Sequence, residues 1–226
     1  MIDVFVKEGV VGFKFSIAYI RTTFFEKISE KEASKLYVRA KEGDKEAYHR
    51  IQDFFVWHIM RKIVSLDMPV QFHLAVSDAH VSDFDPLNLT NFLEDEELGK
   101  AKIVVLHGGY PRYERAEALA MAGTFPPNNV HIDISGRIML FNHPKIISKM
   151  LRNWLEKTIM WNKILYGSDV LLGERFIYTC ARTGRDAVYT VISGMIDDEI
   201  IDEETAIIIA KKILRENALK LYKLQD

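Results

Sequence analysis

The sequence predicts an α/β fold in which parallel strands alternate with helices and wind into a barrel. Five short runs of β-branched and aromatic residues are each bounded by turn residues, and amphipathic helical patterns separate them. Such alternation implies right-handed crossovers and a parallel sheet. Polar residues that can do chemistry stand at the ends of several runs. They favour a barrel over an open sheet, because barrels build their sites at the carboxyl ends of their strands.

The five predicted strands follow one another along the chain. Each is rich in Val, Ile, Phe or Tyr, residues that fit a pleated and buried surface. In chain order they are VVGFKFSIAY (10–19), MPVQFHLAV (68–76), KIVVLHGG (102–109), NVHIDIS (129–135) and KILYGSD (163–169).

Helical patterns fill the segments between the predicted strands. Ser29 precedes Glu32 by three residues, the spacing of a capping box, and predicts a helix start. A long amphipathic stretch continues from there to Leu66. The later helical patterns are LTNFLEDEEL, YERAEALAMA, KIISKMLRNWLEK and, near the end of the chain, EETAIIIAKKILRENALKLY.

Composition narrows the domain count and the classes of ligand. The 226 residues, 48% of them hydrophobic, are enough to bury one substantial core. Neither a linker nor a repeat of fixed period divides the sequence, so we expect a single domain over residues 1–226. Thirty basic and thirty-two acidic residues leave a net charge of −2, which gives no electrostatic argument for nucleic acid or an anionic membrane surface. A small-molecule substrate remains the natural expectation.

Cysteine usage and the N-terminal residues indicate a cytoplasmic protein. Cys180 is the only cysteine, so an intrachain disulfide is impossible and a reducing compartment is expected. The opening segment places Asp3 and Glu8 among short apolar runs, which is typical of neither a signal peptide nor a membrane span.

Three potential metal ligands stand at predicted strand ends. These are His73, His107 and Asp169, and Lys14 lies within the first strand. Such positions converge on one rim of a parallel barrel, where two imidazoles and a carboxylate suit a divalent metal such as zinc. A metal held there would generate hydroxide near neutral pH, and Asp169 could shuttle its proton to a leaving group.

Each of these residues also has an ordinary structural explanation. Asp169 in Gly-Ser-Asp could simply cap a helix or form a turn. Lys14 could pair with a neighbouring acid, although a lysine in a hydrophobic strand is costly to bury without a partner. A single histidine is more often a surface or hydrogen-bonded residue than a ligand, and we interpret five of them in that way: His49, His58, His80, His131 and His143.

The sequences of these strands resemble those of the amidohydrolase-related metal-dependent hydrolases of the TIM-barrel superfamily. The similarity runs nearly end to end. It rests on VVGFKFSIAYIR, PVQFHLAVSD, KIVVLHGGYPRYERAEALA, NNVHIDIS, NKILYGSDV and AKKILRENALKLYKL, in that order. The opening block and HGGYPRY look closest to the amidohydrolase half of nodulin-like and glutamine-synthetase-fused proteins.

The resemblance implies a partial (β/α)8 barrel of TIM-barrel type, in which the strands are the fourth to the eighth. His73 then matches the metal-ligand histidine of strand five, and Asp169 matches the acidic residue of strand eight. His107 matches the strand-six histidine, which orients or polarises the substrate. Lys14 falls on a strand that carries a metal-bridging lysine in some branches, and its role stays unassigned. Weaker substrate-binding candidates, equally readable as ordinary surface residues, are Tyr110, Arg21 and Arg185.

The sequence departs from the family pattern in one important respect. The family's first strand carries a His-x-His pair that supplies two metal ligands, and no such pair occurs in this sequence. Roughly three βα units are also missing from a barrel of about 250 residues. We therefore expect weak zinc binding and a fragment, a truncated product or half of a split enzyme. Exposed sheet edges would favour self-association or a complementing chain.

The function that follows is hydrolysis of an amide, C–N or ester-like bond by a metal-activated water. Two alternatives stay open at this point. Relatives on this scaffold also perform nonoxidative decarboxylation with much the same residues. A degenerate barrel that serves as a non-catalytic interaction module is the third hypothesis, and the missing His-x-His pair favours it.

Overall fold

Five short parallel strands form the central sheet. The computed structural model describes residues 2–76, 83–122, 128–170 and 173–225, with only the backbone of Arg137. The strands lie side by side in chain order, each parallel to its neighbour. They are β1 (Phe13–Phe15), β2 (Pro69–His73), β3 (Lys102–Leu106), β4 (Val130–Ile134) and β5 (Ile164–Tyr166). The prediction of five parallel strands is confirmed.

Helices precede the first strand, connect the strands and follow the last of them. They are α1 (Ile2–Lys7), α2 (Glu30–Lys41), α3 (Lys45–Ser65), α4 (Thr90–Leu93), α5 (Tyr113–Met121), α6 (Arg137–Phe141), α7 (Pro144–Leu155), α8 (Gly173–Asp197), α9 (Glu203–Lys211) and α10 (Asn217–Tyr222), with a π-helical turn at Lys212–Glu216 between the last two. In the described ranges, no helix combines the length and apolarity needed to cross a membrane.

Several of the predicted elements differ from the observed ones, and the predicted helix LTNFLEDEEL is α-helical only over Thr90–Leu93. Ser29 accepts a hydrogen bond from the Glu32 N–H and caps α2 as predicted. The amphipathic stretch that follows is broken, because Gly43 adopts a φ of +94° and Asp44 caps a new helix, α3. The first strand is also much shorter than predicted. It ends at Phe15, and Ile17–Tyr19 forms a 3-10 turn instead.

The two faces of the sheet pack against different parts of the chain. Ile103 and Val105 point to the outer face and join the large core that includes Trp154 of α7. Val104 and Leu106 alternate with them and point to the inner face. There they meet Leu165 of β5 and Leu221 of α10.

The sequential strand order distinguishes a barrel from an open doubly wound sheet. In doubly wound sheets the order reverses and helices cover both faces. Here the order never reverses, and the connecting helices such as α7 pack on the outer face. The architecture is that of successive units of a (β/α) barrel, so the inner face and its C-terminal rim are where a site is expected.

Candidate active site

Two predicted histidines meet at the C-terminal rim of the sheet. His73 ends β2, where its register partner is Leu106, and His107 directly follows β3. His107 Nε2 lies 3.1 Å from His73 Nδ1, and the rings meet edge to face. Both side chains are almost fully buried. The backbone at His107 has a φ of +59°, which is uncommon for a residue other than glycine.

Asp169 joins this pair from the segment after β5. Its Oδ2 lies 3.5 Å from His107 Nε2, and the Asp169 side chain is 45% exposed whereas that of His107 is 2% exposed. The structure therefore places His107 close to both His73 and Asp169. Asp169 is the member of the group that faces solvent.

Two further residues at the end of β4 extend the cluster. The Ser135 hydroxyl donates to Asp133 Oδ1, and His107 Nδ1 lies 3.0 Å from Ser135 Oγ. The His107 N–H also points to Asp133 Oδ1 at 3.4 Å. Sequence analysis missed both residues, although their alternation in VHIDIS placed Asp133 and Ser135 on one face and at a strand end like the other candidates.

Burial sets the protonation behaviour of Asp133. Loss of solvation raises the pKa of this carboxyl from 3.8 to about 6, and the nearby charge of Asp169 adds to the rise. The hydrogen bonds from Ser135 and from the His107 N–H act in the opposite direction, as does the charge of Lys14. Asp133 is therefore still mainly ionised near neutral pH.

The cluster depends on a glycine at position 136. Gly136 has a φ of +60°, and a Cβ placed on it would lie 2.9 Å from His107 Nδ1 and 3.0 Å from Asp169 Oδ2. Its N–H donates to the Ser168 carbonyl at 3.1 Å. Glycine thus satisfies the backbone conformation and leaves room for the ring and the carboxylate.

Tyr19 is a second feature that sequence analysis missed. Its ring stacks on His73 with centroids 4.3 Å apart, and its hydroxyl lies 3.3 Å from His73 Nδ1. The strand pattern predicts that Tyr19 lies in the first strand. Because β1 ends early, the 3-10 turn instead carries the phenol over the rim.

Lys14 and Tyr110 are the remaining candidates near the sheet. Lys14 is the register partner of Gln71 on the inner face, is exposed, and acts on Asp133 through its charge. Tyr110 follows the His107–Gly109 turn and lines a cavity of about 260 Å³ with Tyr113 and Ile138. Their roles in binding a substrate stay predictions.

Two predicted arginines lie with helices rather than with the histidine pair. Arg21 forms a buried ion pair with Asp53 of α3 at 2.7 Å and donates to the His49 carbonyl at 2.6 Å. These contacts tie the loop before α2 to α3. Arg185 is exposed on α8. Burial raises the pKa of the Tyr166 phenol, and the positive charge of Arg185 opposes that rise.

The other histidines occupy varied surroundings. His143 caps α7 by accepting from the Lys145 N–H, and His58 is exposed on α3. His131 lines a separate cavity of about 420 Å³ near the starts of β3, β4 and β5. Desolvation lowers the pKa of His131 to about 4. His80 lies outside the described residues.

The donor chemistry of the rim suits a divalent metal, but the set is incomplete. Donors that share one tetrahedral zinc at bonds of about 2.0–2.1 Å are spaced roughly 3.3 Å apart, and the two contacts of His107 Nε2 are 3.1 and 3.5 Å. Both distances start from the same nitrogen, His107 Nε2, so they describe two pairs of donors and not a complete ligand set. In the part of the chain that the structure describes, no three His, Cys, Asp or Glu side chains converge to hold a metal ion. Further ligands would be needed.

Comparison with known proteins identifies relatives of this arrangement. The profile of a family described as amidohydrolase matches residues 7–224. No curated protein sequence matches the chain. A "putative metal-dependent hydrolase" from Lactobacillus casei ATCC 334 superposes with a TM-score of 0.78 at 23% identity, over 96% of this chain and 56% of that one. Uronate isomerase from Thermotoga maritima superposes with a TM-score of 0.70 at 14% identity, over 97% and 51%.

These superpositions establish the fold. At such low identities they carry no information on activity. The neighbours are barrels of TIM type, and this chain spans about half the length of each. The five strands therefore correspond to part of such a barrel, which agrees with their sequential order.

Proposed function

This chain belongs to the amidohydrolase family, and we propose that it acts as a metal-dependent hydrolase on an amide, C–N or ester-like bond of a small molecule. The proposal rests on the contacts between three residues from three different strand ends. Nε2 of His107 lies 3.1 Å from His73 Nδ1 and 3.5 Å from Asp169 Oδ2. Residues far apart in sequence converge there with the donor types that zinc prefers.

We assign roles from the position of each side chain. His73 and Asp169 would hold a zinc ion. When bound, such a metal lowers the pKa of a water molecule and polarises a scissile carbonyl. Asp169 faces solvent, so its carboxylate can take a proton from the attacking water and deliver it to the leaving group. His107, held at the rim by Asp133 and Ser135, can polarise the substrate carbonyl through Nε2 when it carries a proton there.

The incomplete donor set means that a metal site would need ligands from elsewhere. We propose that the remaining ligands come from another polypeptide or a second copy of this chain, and that the isolated chain binds zinc weakly. A reducing, cytoplasmic setting fits the buried free thiol of Cys180, its only cysteine.

The first test is the metal content and zinc affinity of the purified chain, by elemental analysis and calorimetric titration with ZnCl₂. We expect weak but measurable zinc binding, and at least about a tenfold loss of affinity in Asp169→Asn, because the variant removes a charged ligand. Asp186→Asn is the matched control. Asp186 is exposed on α8 and 3.7 Å from Arg182, away from the rim.

Two outcomes would count against the proposal. One is the absence of measurable zinc binding by the chain and by its oligomers, and the other is an affinity that is equal in Asp169→Asn and in the control. Either would favour the non-catalytic alternative, a barrel that no longer carries its chemistry.

A further inference from the structure

A buried chain of hydrogen bonds approaches His107 from β4. It runs from Asp133 through the Ser135 hydroxyl to His107 Nδ1. A second hydrogen bond joins the backbone N–H of His107 to the same Asp133 oxygen. All three side chains are at least nine-tenths buried. Neither Asp133 nor Ser135 contributes to the donor set proposed for the metal.

The direction of each hydrogen bond follows from the chemistry of its members. An ionised carboxylate only accepts, so the single hydroxyl hydrogen of Ser135 is given to Asp133. The Ser135 oxygen then has only lone pairs to offer His107. Nδ1 of His107 must therefore be the protonated nitrogen of the neutral imidazole, because two lone pairs cannot face each other at 3.0 Å.

The opposite ring nitrogen consequently carries a lone pair. Nε2 of His107 faces His73 Nδ1 at 3.1 Å and Asp169 Oδ2 at 3.5 Å. A lone pair there can accept the proton of His73 Nδ1, bind a cation or take up a proton during a reaction. Without the hydrogen-bond chain, a neutral ring could place its hydrogen on Nε2, where it would repel a cation.

The fold holds this chain in place on both sides. Gly136 allows the ring to approach, since a Cβ would come within 2.9 Å of His107 Nδ1. Gly167 does the same for the carboxylate, because its Cβ would lie 3.3 Å from Asp133 Oδ2. Two glycines from two rim segments therefore make room for the same three side chains.

We propose that Asp133 and Ser135 are positioning residues that fix the neutral His107 ring as the Nδ1–H tautomer, so that Nε2 is an acceptor that polarises a substrate carbonyl only after it has taken up a proton. The use of Nε2 in catalysis rests on the proposed function, whereas the tautomer itself does not. If Ser135 had only a structural role, as the hydrogen-bond donor to the buried Asp133 carboxylate, removal of its hydroxyl would not change the tautomer of His107.

The test is a long-range ¹H–¹⁵N NMR spectrum of the full chain labelled with ¹⁵N-histidine, recorded where the imidazoles are neutral. The His107 signals are assigned by their loss in His107→Gln. We expect the Nδ1–H pattern in the wild-type protein, a shift to Nε2–H in Ser135→Ala, and the wild-type pattern again in Ser135→Thr, which restores the hydroxyl. Ser148→Ala, at a buried serine bonded within α7, is the control for loss of a buried hydroxyl.

Titration with ZnCl₂ separates this proposal from the proposed function. A tautomer change in Ser135→Ala, with a thermal midpoint close to that of Ser148→Ala, supports the positioning role even if zinc does not bind. If zinc does bind, we expect weaker affinity in Ser135→Ala, because a hydrogen on Nε2 of His107 would face the cation. An Nε2–H tautomer in the wild-type protein, or the same tautomer in Ser135→Ala, overturns the proposal.

Discussion

At the scale of single residues, the rim contains a buried carboxylate, Asp133, whose charge is unfavourable to bury. Asp133 is ionised near neutral pH although burial raises its pKa from 3.8 to about 6. Hydrogen bonds from Ser135 and from the His107 backbone compensate in part. Functional sites often keep such costs, because the group that is expensive to bury is also the one that orients its neighbours.

This raised pKa predicts a pH dependence of stability. A carboxyl whose pKa is higher in the folded state favours folding below the unfolded pKa of 3.8, and this contribution is lost as the pH rises through about 6. The difference between the two pKa values corresponds to roughly 3 kcal/mol. Asp133→Asn removes the titration. Its stability relative to the wild-type protein should therefore increase by up to about 3 kcal/mol between pH 4 and pH 7.5.

Urea denaturation of both proteins across this pH range measures the difference directly, since the other carboxyls titrate in both and cancel. Asp186→Asn, at an exposed site, should show no such trend. A gap between Asp133→Asn and wild type that is constant with pH would mean that Asp133 titrates normally.

At the scale of elements, α8 is fitted closely against the last strand. Gly184 of α8 lies against the ring of Tyr166 at the end of β5, so close that an added Cβ would overlap that ring. Gly194 in the same helix is different. A Cβ there would meet only Arg152 Nη1, at an ordinary contact distance of 3.6 Å.

The two glycines give opposite predictions for the same substitution. Alanine improves helix propensity by about 1 kcal/mol at either position, but overpacking a tight contact typically costs about 1–3 kcal/mol. We expect Gly184→Ala to lower the free energy of unfolding by about 1 kcal/mol and Gly194→Ala to raise it by up to about 1 kcal/mol. Chemical denaturation measures both, and an equal gain in the two variants would show that the contact with Tyr166 is not restrictive.

At the scale of the whole molecule, the sheet is open at both ends. In the described ranges, β1 pairs only with β2, and β5 only with β4. A cavity of about 620 Å³ beside β1 is lined by Phe5, Phe13 and Phe15, and Phe5 is 42% exposed. Open edges beside exposed aromatic surface are templates for association.

Self-association should therefore depend on this edge. We expect the wild-type chain to form concentration-dependent oligomers in sedimentation velocity runs, and Phe5→Glu to shift them toward monomer, because a charge beside β1 would be buried on association. Tyr189→Glu is the control, since Tyr189 is 74% exposed on α8. A well-folded wild-type monomer at high concentration would contradict the prediction.

The sequence by itself determined the five parallel strands, the barrel class and three of the rim residues. Strand periodicity and turn residues are local signals, and His73, His107 and Asp169 stand at strand ends that a parallel sheet must bring to one rim. The family resemblance drawn from those blocks was confirmed by the match over residues 7–224.

Only the tertiary structure decided which other side chains join the rim. Tyr19 reaches His73 because β1 stops early, and Arg21 turns to Asp53 because α3 packs beside its loop. Ser135 reaches His107 because the two chain segments approach at Gly136, whose absent side chain leaves the space. These contacts depend on packing between segments distant in sequence. Periodicity and spacing report only which face a residue takes, not what it meets there.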